Sequence, residues 1–129
     1  MNRAAIEALA RARHLRKIRP HPVRAKRLWM KAEKDIGTAR HLVGIDADRA
    51  HECAYDAVFK SVLAILCLLG YRIAPVRQRV TGVEVLRAAI ADPSRHSLVD
   101  SFEDMREKRN EVAYEAGEAS ETEAGQAID

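Results

Sequence analysis

Residues 54–69 read AYDAVFKSVLAILCLL, and no other stretch of the chain is apolar on every side of a helix. Tyr55, Val58 or Phe59, Val62, Ile65 or Leu66, and Leu69 recur at the three-and-four spacing that stacks side chains on one face, while Ala54, Ala57, Ala64 and Leu68 fill the flanks. A helix of this kind has to be enclosed by other elements. Lys60 and Ser61 interrupt it, and the unbroken apolar run that remains is far shorter than the roughly 20 residues that cross a bilayer. Its neighbours are therefore other helices, with no membrane partner expected. Gly70 follows the last leucine, where a left-handed residue closes a helix.

A chain of 129 residues holds one domain with a modest core. Aromatic content of 5% leaves little material for β-sheet, and 32% charged residues with few glycines and prolines suits a soluble helical protein. The N-terminus lacks an apolar h-region, although its Arg- and Ala-rich composition is shared by mitochondrial presequences, and the expected location is the cytoplasm. Cys53 and Cys67 lie on one predicted helix, about 21 Å apart at its rise per residue, and cannot bridge each other. They fit a reducing compartment as small buried side chains.

Charge is distributed unevenly. Residues 1–27 carry nine bases, Arg3, Arg11, Arg13, Arg16, Lys17, Arg19, Arg24, Lys26 and Arg27, against Glu7 alone. From Glu115 onward there are only acids, at Glu115, Glu118, Glu121, Glu123 and Asp129. The basic end either contacts polyphosphate, with Arg11, Arg13, Arg16 and Lys17 as candidate nucleic-acid ligands, or is a solvated helix that docks on the acidic tail or merely keeps the protein soluble.

Local signals divide the chain into helices. Residues 2–18 form a first, basic helix with Ile6, Leu9 and Leu15 on a weak apolar face, ended by Pro20 and Pro22. Pro22 opens a second, whose stripe is Ala25, Trp29, Ala32, Ile36, Ala39 and Val43 and which closes at Gly44. Asp46 or Asp48 caps the central helix. The segment YRIAPVRQRV after Gly70 reads as an exposed connector, and Thr81 with Glu84 as the capping box of a short helix that buries Val83, Leu86 and Ile90. Asp92-Pro93 breaks it, and a last helix runs from Ser97 to about Ala116, before a tail expected to be disordered. The expected fold is all-α, an antiparallel bundle of four to five helices over residues 22–116, with a basic N-terminal helix at 1–20 and an acidic tail at 117–129.

One position breaks the local rules. Leu98, Phe102, Met105 and Val112 share a stripe on the last helix, and Arg109 stands in the middle of it. Arg106, Asn110 and Tyr114 follow it round the adjacent sector, so two guanidinium forks, an amide and a phenol border an apolar seam. That is the chemistry of a phosphate- or ribose-binding cleft. The alternative is structural: Arg109 snorkels, or pairs with Asp56, Glu52 or Glu103.

Arg109-Asn110-Glu111-Val112-Ala113-Tyr114, preceded by Arg106, resembles the terminal-helix signature of HEPN domains, small all-α proteins of prokaryotic toxin-antitoxin and defence systems. AYDAVFKSVLAILCLLGYR is similar to their central helix, and the resemblance spans residues 24–116. It implies a HEPN-like homodimer whose terminal helices face each other and whose paired Arg-x4-6-His motifs cut RNA. Here Tyr114 fills the histidine position, and no histidine follows Arg109. Imidazole exchanges protons near neutrality and phenol does not. The resemblance therefore points to a Tyr-bearing branch that binds RNA or a nucleotide without efficient catalysis, using Arg106, Arg109, Asn110 and Tyr114. Its partner would be a cognate toxin or antitoxin or a nucleotidyltransferase. The alternatives are an RNA-cleaving enzyme, in which Arg109 stabilises the phosphorane and Tyr114 or His51 supplies the proton, and a pure interaction subunit.

Other chemistry lacks its motifs. The five histidines show no i,i+3 or i,i+4 pairing, and no CxxC, GxSxG or Gly-rich phosphate loop is present, so no metal and no cofactor are expected. Nor is there a pair of short helices joined by the turn of a DNA-reading motif.

Overall fold

The computed structural model describes residues 1–90, 92–114 and 126–128, and of residues 112–114 the backbone alone. It is an all-α bundle with one very small sheet. In chain order the elements are α1 (Arg3–Arg11), β1 (Leu15–Lys17), α2 (Pro22–Leu42), α3 (Ala47–Leu69), β2 (Tyr71–Ile73), α4 (Gln78–Ala89), a 3-10 turn (Pro93–Arg95) and α5 (His96–Tyr114). Among the described residues no helix is long and apolar enough to cross a membrane.

The long hairpin α2–α3 is the frame. Pro22 sits in the first turn of α2, Asp46 accepts the N–H of Arg49 to cap α3, and Gly70 ends α3 at φ 87°. His21 N–H donates to the Cys67 carbonyl, which sets the start of α2 beside the end of α3. Small residues at every seventh position of α2, Ala25, Ala32 and Ala39, are buried against the α3 alanines 50, 54, 57 and 64 and let the two backbones approach closely. The opposite face of α3 supplies Tyr55, Phe59, Val62 and Leu66 to a core shared with Ile6, Leu15, Ile73, Val83, Val99 and Phe102. Each of the large α3 side chains contributes about 1.5–3 kcal/mol on burial.

Several expectations are corrected. The first helix ends at Arg11, not residue 18, because the chain reverses there: Arg13 takes a left-handed φ of 65°, its N–H donates to Ala10 and that of His14 to Leu9. This is a Schellman closure with arginine where glycine is usual. The reversal frees residues 15–17 to pair antiparallel with 71–73, Leu15 opposite Ile73 and Arg16 opposite Arg72. The first part of the expected exposed connector is therefore the strand Tyr71–Ile73, with Ile73 and the following Ala74 buried, while residues 75–78 are exposed as expected. Thr81 does not cap α4. That helix begins at Gln78 after a left-handed Arg77, and Thr81 is fully buried inside it.

On α5 the expected stripe holds at Phe102 and Met105 but not at its start. Leu98 is exposed while Val99 and Phe102 are buried. On α2 the alanines are covered but Trp29 is 51% exposed. The acidic tail lies largely outside the described residues. Its residues 126–128 form a helical turn, and Ala127 packs on Ala39 and Ala54.

Candidate functional site

Two seams turn from apolar to cationic as they run toward the same place. On α5 the spacing of Val99 and Phe102 continues to Arg106 and Arg109; on α4 the stripe Val83, Leu86, Ile90 extends one turn back to Arg79. Both run toward the α3 turn that carries Tyr55 and Asp56. Tyr55 is fully buried, its ring stacked at 5.2 Å from Phe102 and 6.4 Å from Phe59. The Arg79 guanidinium lies 4.3 Å from the Phe59 centroid and 5.3 Å from that of Tyr55, and the Arg109 guanidinium lies 5.8 Å from Tyr55. Packing of α4 onto this ring is tight, since a Cβ at Gly82 would come within 2.8 Å of Phe59 Cε2.

Counting charges shows what the cluster lacks. Arg106 is held by Glu103, one turn away, and this hydrogen bond raises its pKa. Arg79 faces Asp56 at 3.7 Å, close enough for attraction but too long for a hydrogen bond. Arg109 has neither a hydrogen bond nor an ion pair among the described residues. Three of its donors are buried and unpartnered: Arg109 Nε, Arg79 Nη1 and the Tyr55 hydroxyl. Thr81, two residues along from Arg79, buries a fourth unpartnered group. Buried donors without acceptors are costly, about 1–3 kcal/mol each.

Burial pushes the Tyr55 phenol above its ordinary pKa, against the pull of Arg79 and, less strongly, Arg109 and Arg106. It stays protonated at neutral pH and is a donor. Burial also raises the Asp56 carboxyl, again opposed by Arg79 and then Arg109, with Glu52 adding to the rise and Lys60 opposing it. Two guanidiniums and a phenol are donors whose chemistry suits an anionic oxygen.

Of the residues expected from sequence, Arg106 and Arg109 are here. Asn110 is half-buried on the same helix and makes no hydrogen bond among the described residues. The side chain of Tyr114 lies outside what is described. Arg11 at the end of α1, Arg13 on the turn after it, and Arg16 and Lys17 on β1 are exposed and take no part in the cluster. His51 is buried and lines a separate cleft of about 400 Å³ with Asp104, Met105 and Lys108. Sequence reasoning missed Arg79 and the Tyr55 hydroxyl, and named Asp56 only as a possible ion-pair partner of Arg109. The signal for Arg79 was available, a base continuing an apolar stripe, as at Arg109.

Among the described residues no His, Cys, Asp and Glu side chains gather in a group able to hold a metal ion. No family model, curated protein or solved structure matches the chain.

Proposed function

We propose that this chain is a phosphate-recognising helical module that binds RNA or a nucleotide through Arg109, Arg79, Arg106 and the Tyr55 hydroxyl, as a HEPN-like member of a prokaryotic toxin-antitoxin or defence pair. The observation that carries it is Arg109: a half-buried guanidinium with an unpartnered Nε, set beside two further unpartnered donors. A phosphate oxygen supplies the acceptors these donors lack. Binding without efficient cleavage follows from Tyr114 standing where the proton-exchanging histidine of the family stands. The protein partner in this reading is the product of an adjacent nucleotidyltransferase-like or small toxin gene. Calorimetric titration with ATP and with a short RNA tests it: Arg109→Met is expected to weaken both at least tenfold, and unchanged affinity refutes the assignment.

A second copy belongs to the same reading. The C-terminal part of α3 is strongly apolar, yet Val58 and Ile65 stay half-exposed, and with Trp29, Ile36 and Ala57 of the hairpin Val58 lines an open groove of about 270 Å³. Glu33 and Arg40 flank Ile36 on α2. A two-fold axis near Ile36 and Gly37 sets Glu33 of one protomer opposite Arg40 of the other, and a Cβ on Gly37 would meet nothing within 4 Å in the single chain, which leaves room for a close approach.

A further inference from the structure

The two-stranded ribbon breaks a pairing rule of its own. Arg16 and Arg72 lie directly opposite each other in the β1–β2 register, on the face away from buried Leu15 and Ile73. Hydrogen bonds close the ladder two residues to either side, Ala74 N–H to the His14 carbonyl and Ile18 N–H to Gly70, so Arg16 and Arg72 form a hydrogen-bonded pair with Cα atoms about 5.5 Å apart. Like charges directly opposite destabilise a sheet. Both side chains are exposed, and neither has an ion-pair partner among the described residues.

Nothing nearby in the chain offsets this. From residue 8 to 32 there are nine bases and no acid, and from 57 to 83 there is no acid either. These are the two segments that the ribbon brings together. The first turns of α2 extend the surface: Arg24 and Arg72 line one cleft, and Arg24, Arg27 and Lys31 line the next. The acids of the C-terminal segment lie outside the described residues, and of that segment only residues 126–128 are placed. Ala127 packs on Ala39, fifteen residues and about 22 Å along α2 from Arg24.

We infer that the outer face of the ribbon, Arg16 and Arg72 with Arg24 and Arg27, is a docking surface for the sugar-phosphate backbone of RNA, separate from the buried arginine cluster. Guanidinium forks suit phosphodiester oxygens, and a run of nine bases without an acid supplies the charge that a polyanion neutralises. Val23 and Met30 are exposed beside Arg24 and Arg27, which makes an anionic lipid surface the competing ligand in the test. Because single-stranded RNA releases about 0.7 counterions per phosphate neutralised, the salt dependence of binding counts these contacts.

The test is fluorescence anisotropy of the full chain with a labelled twelve-nucleotide oligouridine at several salt concentrations. The expected result for the double variant Arg16→Gln, Arg72→Gln is at least tenfold weaker binding at low salt and a log–log salt slope shallower by about 1.4. Its melting temperature should equal or exceed that of the parent, since a like-charge pair is removed. An ATP titration should be unchanged, which separates this surface from the cluster: Arg109→Met failing to affect ATP would undo the cluster alone. Unchanged RNA affinity and slope in the double variant, absence of RNA binding in the parent, or tighter binding to phosphatidylserine vesicles than to RNA would each overturn the inference.

Discussion

Replacing Arg109 by methionine separates a ligand-binding arginine from a structural one, because the two roles predict opposite melts. The guanidinium lies 5.8 Å from the Tyr55 ring centroid, and its Nε is buried without a partner. Substitution loses a cation–π attraction of about 0.5–1 kcal/mol. It also removes an unpartnered buried donor whose desolvation costs about 1–3 kcal/mol. Methionine keeps comparable length against the ring and adds a sulfur–aromatic contact. The balance favours the variant by on the order of 1 kcal/mol, roughly 4 °C in melting temperature for a chain of 129 residues. Differential scanning calorimetry reads that shift, and calorimetric titration with ATP should show binding weakened at least tenfold. Were Arg109 instead one half of a buried ion pair, its loss would strand a carboxylate and cost on the order of 3 kcal/mol. A variant destabilised by that amount with ATP binding intact would refute the assignment.

Further outcomes follow from the same geometry. Burial raises the Asp56 carboxyl, so the folded state holds this proton to higher pH than the unfolded chain does, and Asp56 lowers stability progressively as pH rises from the ordinary carboxylate value through the raised one. Asp56→Asn should remove that part of the slope, seen as a difference between variant and parent in urea titrations across acidic pH; it should also tighten ATP binding at neutral pH by uncovering Arg79, and weaker binding would show that Asp56 belongs to the ligand site. Gly70→Ala puts a Cβ 2.9 Å from the Ile18 carbonyl oxygen at φ 87°, and should cost more than about 2 kcal/mol in chemical denaturation; a loss under about 0.5 kcal/mol would mean that the ribbon does not close on α3 as described. Light scattering should give a dimer whose mass halves in Glu33→Arg or Arg40→Glu and returns when both are made together, and a parent that is monomeric at tens of micromolar removes the two-fold contact.

The ends of the long helices were legible because their signals are local. Pro22, Asp46 and Gly70 each act on backbone groups within four residues, and each stands where its chemistry implies. The ribbon was not legible. Strands of three residues show no alternation to read, and the pairing of Leu15 with Ile73 joins positions 58 residues apart. Arg13 hid the reversal that makes the pairing possible, since a left-handed closure is usually marked by glycine and here a Schellman hydrogen-bond pair stabilises it without one. Thr81 misled for the converse reason. Its spacing to Glu84 fits a capping box, but position 81 is buried, and a cap residue needs its side chain free to turn back on the helix end.

Half of the site could be read from one dimension. A charge that interrupts an apolar stripe is anomalous wherever it stands, so Arg109 is conspicuous in α5, and Arg79 is equally so once the α4 stripe is followed one turn back. Tyr55 and Asp56 are different. In sequence Tyr55 is one more large residue of the central helix, and its burial is what any core would require. Its hydroxyl becomes chemically significant only when three helices meet around it and none offers an acceptor. A structural network tends toward balance, each guanidinium with its carboxylate, as Arg106 has Glu103 and Arg79 has Asp56. Arg109 is the departure from that pattern: among the described residues it has no carboxylate at ion-pair distance, and it stands beside unpartnered donors, which is why anion binding is proposed there.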